Sequence, residues 1–409
     1  MTHSSVSRFL FSKSFSSLIL LAIIVTLPLS LEAQEVPSSE KLVAMQLETS
    51  RLSEGWIRLF DGHTLTGWQS AGKANWRVEN GAITVNEGEV GLLLTTSTWK
   101  NYELQFEFQS DTETNSGVFL RTPPKPTNPA VDCYEWNIAP ASNPFPTGSL
   151  VGRQRVAKGS ELVSEPGRWY QAKLRAVEGD VTVWIDGQEI LRYTDSKPLA
   201  AGHIGLQHNQ GRAAFRHIEI RPLGLSPLIP LQNLDNWITE QAAPGKFTLL
   251  ADGSLRIEGG KGQIESKEKY ADFILQLDGK LDHDHSNSGL FFRCIPGEAL
   301  NGYECQLHQG FLENDRSKPA DGGLGAIFRR QNARVVLGEP LQTFSVTIVA
   351  QGPHIATWVN GLPMVDFTDT RPADPNPRKG LRLTPGSLMF QGHDPETRIT
   401  ISKLQILSL

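Results

Sequence analysis

A chain of 409 residues with 39% hydrophobic residues is long enough for two domains with full cores and too apolar to be disordered. Its formal net charge is −5, and its 39 basic residues are scattered rather than clustered, which argues against nucleic acid as a partner.

Residues 1–33 have the layout of an export signal. Arg8 and Lys13 precede an apolar run over residues 18–27, and Leu31-Glu32-Ala33 resembles a small-residue cleavage site before Gln34. The apolar run is short for a membrane span of about 20 residues. The expectation is therefore an exported chain, periplasmic or extracellular, with no integral membrane span after processing. No Cys lies near the cleavage site, so a lipid anchor is not supported. Residues 34–52 are polar and read as a linker or short helix.

A first series of β signals then runs over residues 53–223. Residues 55–62 lead into Leu65-Thr66-Gly67-Trp68. Residues 76–85 read as a hairpin with Asn80-Gly81 as its turn. Residues 102–108 alternate, with Leu104, Phe106 and Phe108 on one face and Glu103, Gln105 and Glu107 on the other. Asn115-Ser116-Gly117-Val118-Phe119-Leu120-Arg121 and Tyr134-Glu135-Trp136-Asn137-Ile138 are two more strands, separated by a Pro-rich loop. Strands follow over residues 169–177 and 180–185, the latter ending in the turn Asp186-Gly187. Residues 203–208 and 215–220 finish the series. Short strands at regular spacing predict an all-β, antiparallel sandwich.

After a Pro/Gly/Leu-rich boundary at residues 222–230 the pattern restarts, and a second sandwich is expected over residues 229–409. Asn287-Ser288-Gly289-Leu290-Phe291-Phe292-Arg293 repeats residues 115–121. Tyr303-Glu304-Cys305-Gln306-Leu307-His308 repeats residues 134–139, and Thr357-Trp358-Val359-Asn360-Gly361 repeats residues 183–187. The nearly constant offset of about 170 residues means a duplicated domain rather than a solenoid, because each unit is large enough for its own core.

No GxSxG, HExxH, P-loop or dinucleotide fingerprint is present. The candidate site comes from superposing strand faces. Each half has an acid on the preceding strand (Glu107, Asp278), an Arg ending the Asn-Ser-Gly strand (Arg121, Arg293), and a Glu with an amide two residues on (Glu135 with Asn137, Glu304 with Gln306). The second half adds His308. Near its end each half has a Gln with a close His: Gln207-His208 and Gln391-Gly392-His393. If the strands are neighbours in one sheet, Glu107, Arg121 and Glu135 share a face. Two carboxylates near a sugar suit acid, base or nucleophile chemistry, and Arg and the amides suit its hydroxyls or a developing negative charge. The bland alternative is a cross-strand ion pair worth about 0.2–1 kcal/mol.

Three cysteines, Cys133, Cys294 and Cys305, cannot all pair within the chain; Cys294 and Cys305, on consecutive strands, are read either as a disulfide formed after export or as two buried free thiols. Seven tryptophans crowd the first half, most of them at core positions by alternation. Asp282-His283-Asp284-His285 reads as a solvated loop. No cofactor is evident. A divalent metal could serve an electrophilic role, but no ligand set is legible.

Together, Leu59-Phe60-Asp61-Gly62 with Gly67-Trp68, Asn-Ser-Gly-x-Phe-x-Arg, Tyr-Glu-x-(Asn/Gln), Trp-x-(Asp/Asn)-Gly and a late Gln resemble the 3-keto-disaccharide hydrolase domain family, in two tandem copies. The resemblance implies a concanavalin A-like jelly roll similar to family 16 β-glucanases. It also implies a carbohydrate substrate, a glycoside already oxidised at C3. A ketone at C3 acidifies the C2 proton; a base removes it, the C1 substituent leaves, and water adds back. On that chemistry Glu135 or Glu304 is expected as base or acid, with Glu107 and Asp278 as partners and Arg121 and Arg293 on the enolate or hydroxyls. The family 16 signature Glu-x-Asp-x-x-Glu is absent. Each copy departs from the pattern: Asn137 stands where Gln is expected, Thr343 replaces Trp169, and Pro230-Leu231-Gln232-Asn233 replaces Leu-Phe-Asp-Gly. One copy is then expected to be degenerate, and the sequence does not say which. A non-catalytic lectin-like or cell-envelope interaction protein is the rival reading.

Overall fold

The structure is a computed structural model that describes residues 37–409; the expected export signal and the start of the linker lie outside the described residues. The Asn-Gly and Asp-Gly pairs put two consecutive residues at positive φ, the backbone of the hairpin turns expected from them. Asn80 and Gly81 lie at 51° and 75°, Asp186 and Gly187 at 47° and 80°, and Asn360 and Gly361 at 47° and 78°. Strands joined by such turns build two sandwiches, each with an eight-stranded and a five-stranded antiparallel sheet.

In the first sandwich the larger sheet runs Gln188–Thr194, Asp180–Ile185, Tyr170–Val177, Tyr102–Ser110, Ala213–Pro222, Ala82–Val85, Arg77–Glu79, with Ile57–Arg58 also on Ala213–Pro222. The smaller runs Trp68–Ala71, Gly91–Thr95, His203–Gln210, Asn115–Thr122, Tyr134–Ile138. The second sandwich repeats this order. Its larger sheet centres on Arg398–Ser408, Phe273–Leu281, Thr343–Gln351 and His354–Val359. Its smaller sheet runs Trp237–Ile238, Gly262–Tyr270, Gly386–Gly392, Ser288–Cys294, Tyr303–Leu307.

Alternation sends Val118, Leu120, Trp136, Ile138 and Leu206 inward, where they meet Leu104, Phe106 and Phe108 of the larger sheet. Phe106 and Phe108 approach the Trp136 ring edge-on at 5.6 and 5.3 Å. Each such side chain contributes about 1.5–3 kcal/mol by burial, which fixes the register and leaves Glu135, Asn137 and Gln207 on the opposite, outer face.

Two expectations fail here for one reason. At Arg121 and Arg293 the backbone turns left-handed (φ 52° and 50°), and the register against the neighbouring strand shifts. The bulge breaks strict alternation, so neither arginine joins the face of Glu135 or Glu304. Arg121 instead donates to the carbonyls of Lys100, Glu178 and Leu199 at 2.7, 2.7 and 3.1 Å. Arg293 donates to those of Ala271, Gly352 and Arg382 and pairs with Asp272 at 2.8 Å. Both are clamps closing one end of a sandwich. The same bulge turns Cys294 out toward Phe291 and Met389 while Cys305 faces the core, and all three cysteines are free.

Residues before the first sandwich pack rather than trail. Short helices cover Ser39–Val43 and Thr49–Ser53, and Leu42 is buried in the core of the second sandwich. The sandwiches also touch directly. Trp99 meets Trp358 at 6.1 Å, and the buried Asp61 carboxylate accepts from Arg334 at 2.9 Å.

Candidate active site on the smaller sheet of the second sandwich

The two glutamates hold equivalent places: Glu135 faces Phe119 across its strand pair and Glu304 faces Phe291. Each is 6% exposed, and burial pushes each carboxyl up to about 7. Around Glu135 the outer face is apolar, with Leu92, Leu94, Phe119 and Cys133 forming its floor. Gln207 lies beside the carboxyl and draws its pKa back down in part.

Around Glu304 the two leucine positions are polar. The pairing Gln207 to Leu92 and Gly205 to Leu94 becomes Gln391 to Gln263 and Met389 to Glu265. Glu265, 3% exposed, accepts from Ser387 Oγ at 2.6 Å and from the Gly297 N–H at 3.1 Å. Gln263 accepts from the Leu300 N–H at 2.9 Å and donates to Gln241 at 2.6 Å. Arg378 donates to Glu304 Oε2 at 3.2 Å and lies over the Phe291 ring at 5.2 Å. Arg378, His393 and Arg329 each pull the Glu304 pKa down against its burial. Arg378 comes from residues 370–386, which replace the much shorter 196–202 of the first copy. Beside this cluster opens a cleft of about 680 Å³ lined by Lys261, Gln263, Leu300, Gln391, His393 and Asp394. The Gln391 side-chain oxygen is buried with no partner among the described residues.

The remaining candidates divide. Gln306 donates to Asn287 at 2.8 Å and His308 lies 3.1 Å from the Ser286 carbonyl, both on the row of Glu304. Asn137 is tied to the Phe145 carbonyl. His208 follows Gln207 and by alternation points to the other face, so the two are not one pair. The acids expected as partners are elsewhere. Glu107 lies on the larger sheet, paired with Arg216 at 2.7 Å and beside His217. Asp278 lies on the equivalent sheet, accepting from Ser345 at 2.6 Å. The assumed adjacency fails because residues 102–110 and 115–122 belong to opposite sheets of the sandwich. The second buried acid on this sheet is Glu265, three strands from Glu304 across Met389 and Phe291. Its signal was present in the sequence: Gln263-Ile264-Glu265 alternates where the first copy has Leu92-Leu93-Leu94. Arg378, in a Pro-rich loop, carried no such signal.

The molecule is thus a tandem jelly-roll protein with two separate buried carboxyls, a cation and a cleft on one sheet of its second copy. The model of the 3-keto-alpha-glucoside-1,2-lyase-like domain matches residues 55–221 and again 226–406, and the chain belongs to that family, as two copies. A curated relative from Bacteroides thetaiotaomicron, named 3-keto-disaccharide hydrolase, is 24% identical over 251 residues, covering 46% of this chain and 86% of its own. Among solved structures, one from Parabacteroides distasonis, provisionally titled a glycosyl hydrolase, matches at 18% identity and TM-score 0.38, covering 44% of this chain and 99% of its own. A Bacillus licheniformis β-glucanase matches at 13% identity and TM-score 0.31, covering 41% and 97%.

Proposed function

We infer that this protein acts on glycosides, and that the second sandwich cleaves a glycoside oxidised at C3, with Glu304 as the acid–base group. The carrying observation is Glu304 itself, a buried carboxyl with a pKa of about 7 beside a cation and a cleft. Near neutral pH such a group is partly ionised and can take a proton and return it. Glu304 removes the C2 proton, and the electron pair passes into the C3 carbonyl as an enolate. Collapse of the enolate breaks the bond between C1 and the leaving oxygen, which departs with a proton. Water then adds at C1, restoring a proton at C2. Arg378 supplies positive charge next to the base, and Gln263 and Gln391 offer hydrogen bonds to ring hydroxyls. The first sandwich, with Leu92 and Leu94 in place of Gln263 and Glu265 and without the Arg378 loop, serves as scaffold. The reading includes export, on the strength of residues 1–33.

The test is incubation of the purified chain with a panel of 3-keto-glycosides and their unoxidised parents. Release of the aglycone from keto-substrates alone, with the elimination product trapped before hydration, is the expected result. Binding of unoxidised glycans with no turnover of any keto-substrate would instead establish a lectin.

A further inference from the structure

The duplication gives the outer face of each larger sheet the same layout, and the two faces are in different states. Strand register equates Gln105, Gln171, Lys173, Trp184 and Gly187 of the first sandwich with Gln276, Ser345, Thr347, Trp358 and Gly361 of the second. In the second sandwich this face is filled by polypeptide. Gln276 donates to the Gly55 carbonyl at 2.9 Å, and the Trp358 indole N–H donates to the Arg58 carbonyl at 2.8 Å. The hairpin turn takes part through its backbone: the Gly361 carbonyl accepts from the Arg58 N–H at 2.7 Å, and that of Asn360 from the Leu47 N–H at 3.0 Å. What space remains among Gly55, Trp56, Gln276, Ser345, Thr347 and Gly361 is about 10 Å³.

In the first sandwich the same five positions border an open cleft of about 380 Å³. Its Trp184 is half-buried, with the Lys173 ammonium 5.4 Å from the ring centroid. Gln105 is bound on its oxygen by Arg51 at 2.9 Å, which leaves its amide donors for a ligand. A second cleft of about 300 Å³ continues from Gln105 and Gln171 toward Arg58 and His217.

We propose that the open face formed by Gln105, Gln171, Lys173, Trp184 and Gly187 is a docking site for a polypeptide segment of a partner protein, a helical turn ended by a glycine as residues 49–58 are. The argument for a peptide over a sugar is the filled counterpart. There an amide and an indole N–H bind the carbonyls of Gly55 and Arg58, and a hairpin turn presents two carbonyls to backbone N–H groups; the open face keeps the amide, the indole and the turn. A glycine is required where the segment crosses the Gln side chain. At Gly55, φ is +90° and an added Cβ would lie 2.7 Å from Gln276 Oε1. Main-chain hydrogen bonds with one aromatic neighbour are a common mode of peptide capture.

The probe is a capped synthetic peptide with the sequence of residues 49–60, titrated calorimetrically into the intact chain. A second peptide carries valine in place of the glycine, and the Trp184→Ala chain serves as comparison, its fold checked by its thermal midpoint. Saturable binding to wild type, weakened on the order of tenfold both by Trp184→Ala and by the valine, is the expected result. Binding that Trp184→Ala leaves unchanged would place the peptide on the second sandwich and overturn the proposal. So would no binding at all, or equal binding of the valine peptide. Gluco-oligosaccharides run in parallel must show no Trp184-dependent binding, because such binding would make the face a sugar platform. Self-association of the chain lost in Trp184→Ala, without peptide binding, would make it a contact between copies.

Discussion

Glu135 and Glu304 show how little of a residue's chemistry its type decides. Both are 94% buried and both have carboxyls near 7, yet one has only Gln207 beside it and the other has Arg378. For Glu135 the consequence is thermodynamic. Its folded pKa of about 7 lies above the reference 4.5, so the native state is penalised as pH rises through that interval. The penalty is absent below pH 4.5 and complete above about 7. Glu135→Gln is therefore expected to stabilise the chain at pH 8, by on the order of 3 kcal/mol at most, and to have little effect at pH 4. Urea unfolding at the two pH values checks this; equal effects at both would contradict the buried, unpaired carboxyl. For Glu304 the consequence is kinetic. Arg378 holds its pKa down, so Arg378→Met is expected to move the acid limb of the pH–rate profile upward. A limb that stays in place would detach Arg378 from the base.

At the scale of the element, the bulged strands ending in Arg121 and Arg293 tie each sandwich shut. Arg293 has no exposed side-chain surface and satisfies three carbonyls and Asp272. Arg293→Met strips those acceptors of their donor and is expected to destabilise the chain by about 3–5 kcal/mol, read from the shift in denaturant midpoint. A loss below about 1 kcal/mol, the level of an exposed ion pair, would refute the clamp. The strands themselves were legible in the sequence, because alternation and Asn-Gly or Asp-Gly turns are local signals. The partnership of Glu107 with Glu135 was not, because period-2 alternation tells which residues share a strand face but not which sheet a strand joins. Arg121 was misread for a related reason: one residue in the left-handed region turns its side chain off the face that counting assigns.

At the scale of the molecule, the two copies share a fold and differ in what their sheets and loops carry. The second copy lacks the Leu-Phe-Asp-Gly motif and carries the loop with Arg378. The first kept that motif, whose Asp61 now reaches across to Arg334. Residues 39–52, part of the stretch 34–52 read from the sequence as a linker or short helix, pack as an arm: Leu42 enters the second core and Arg51 binds Gln105 and Glu219 of the first sandwich. The repeat made the two copies visible; which one carries the cleft followed only from packing, because Leu92 and Gln263 differ in sequence without announcing what faces them. Catalysis is expected in the second copy alone. This is tested most directly by measuring kcat/KM on one 3-keto-glycoside for wild type, Glu304→Gln and Glu135→Gln, with each variant's fold confirmed by circular dichroism. Removal of the acid–base group is expected to cost on the order of a hundredfold or more in Glu304→Gln, while Glu135→Gln stays near wild type. Activity retained in Glu304→Gln, or lost in Glu135→Gln with folding intact, would contradict the account.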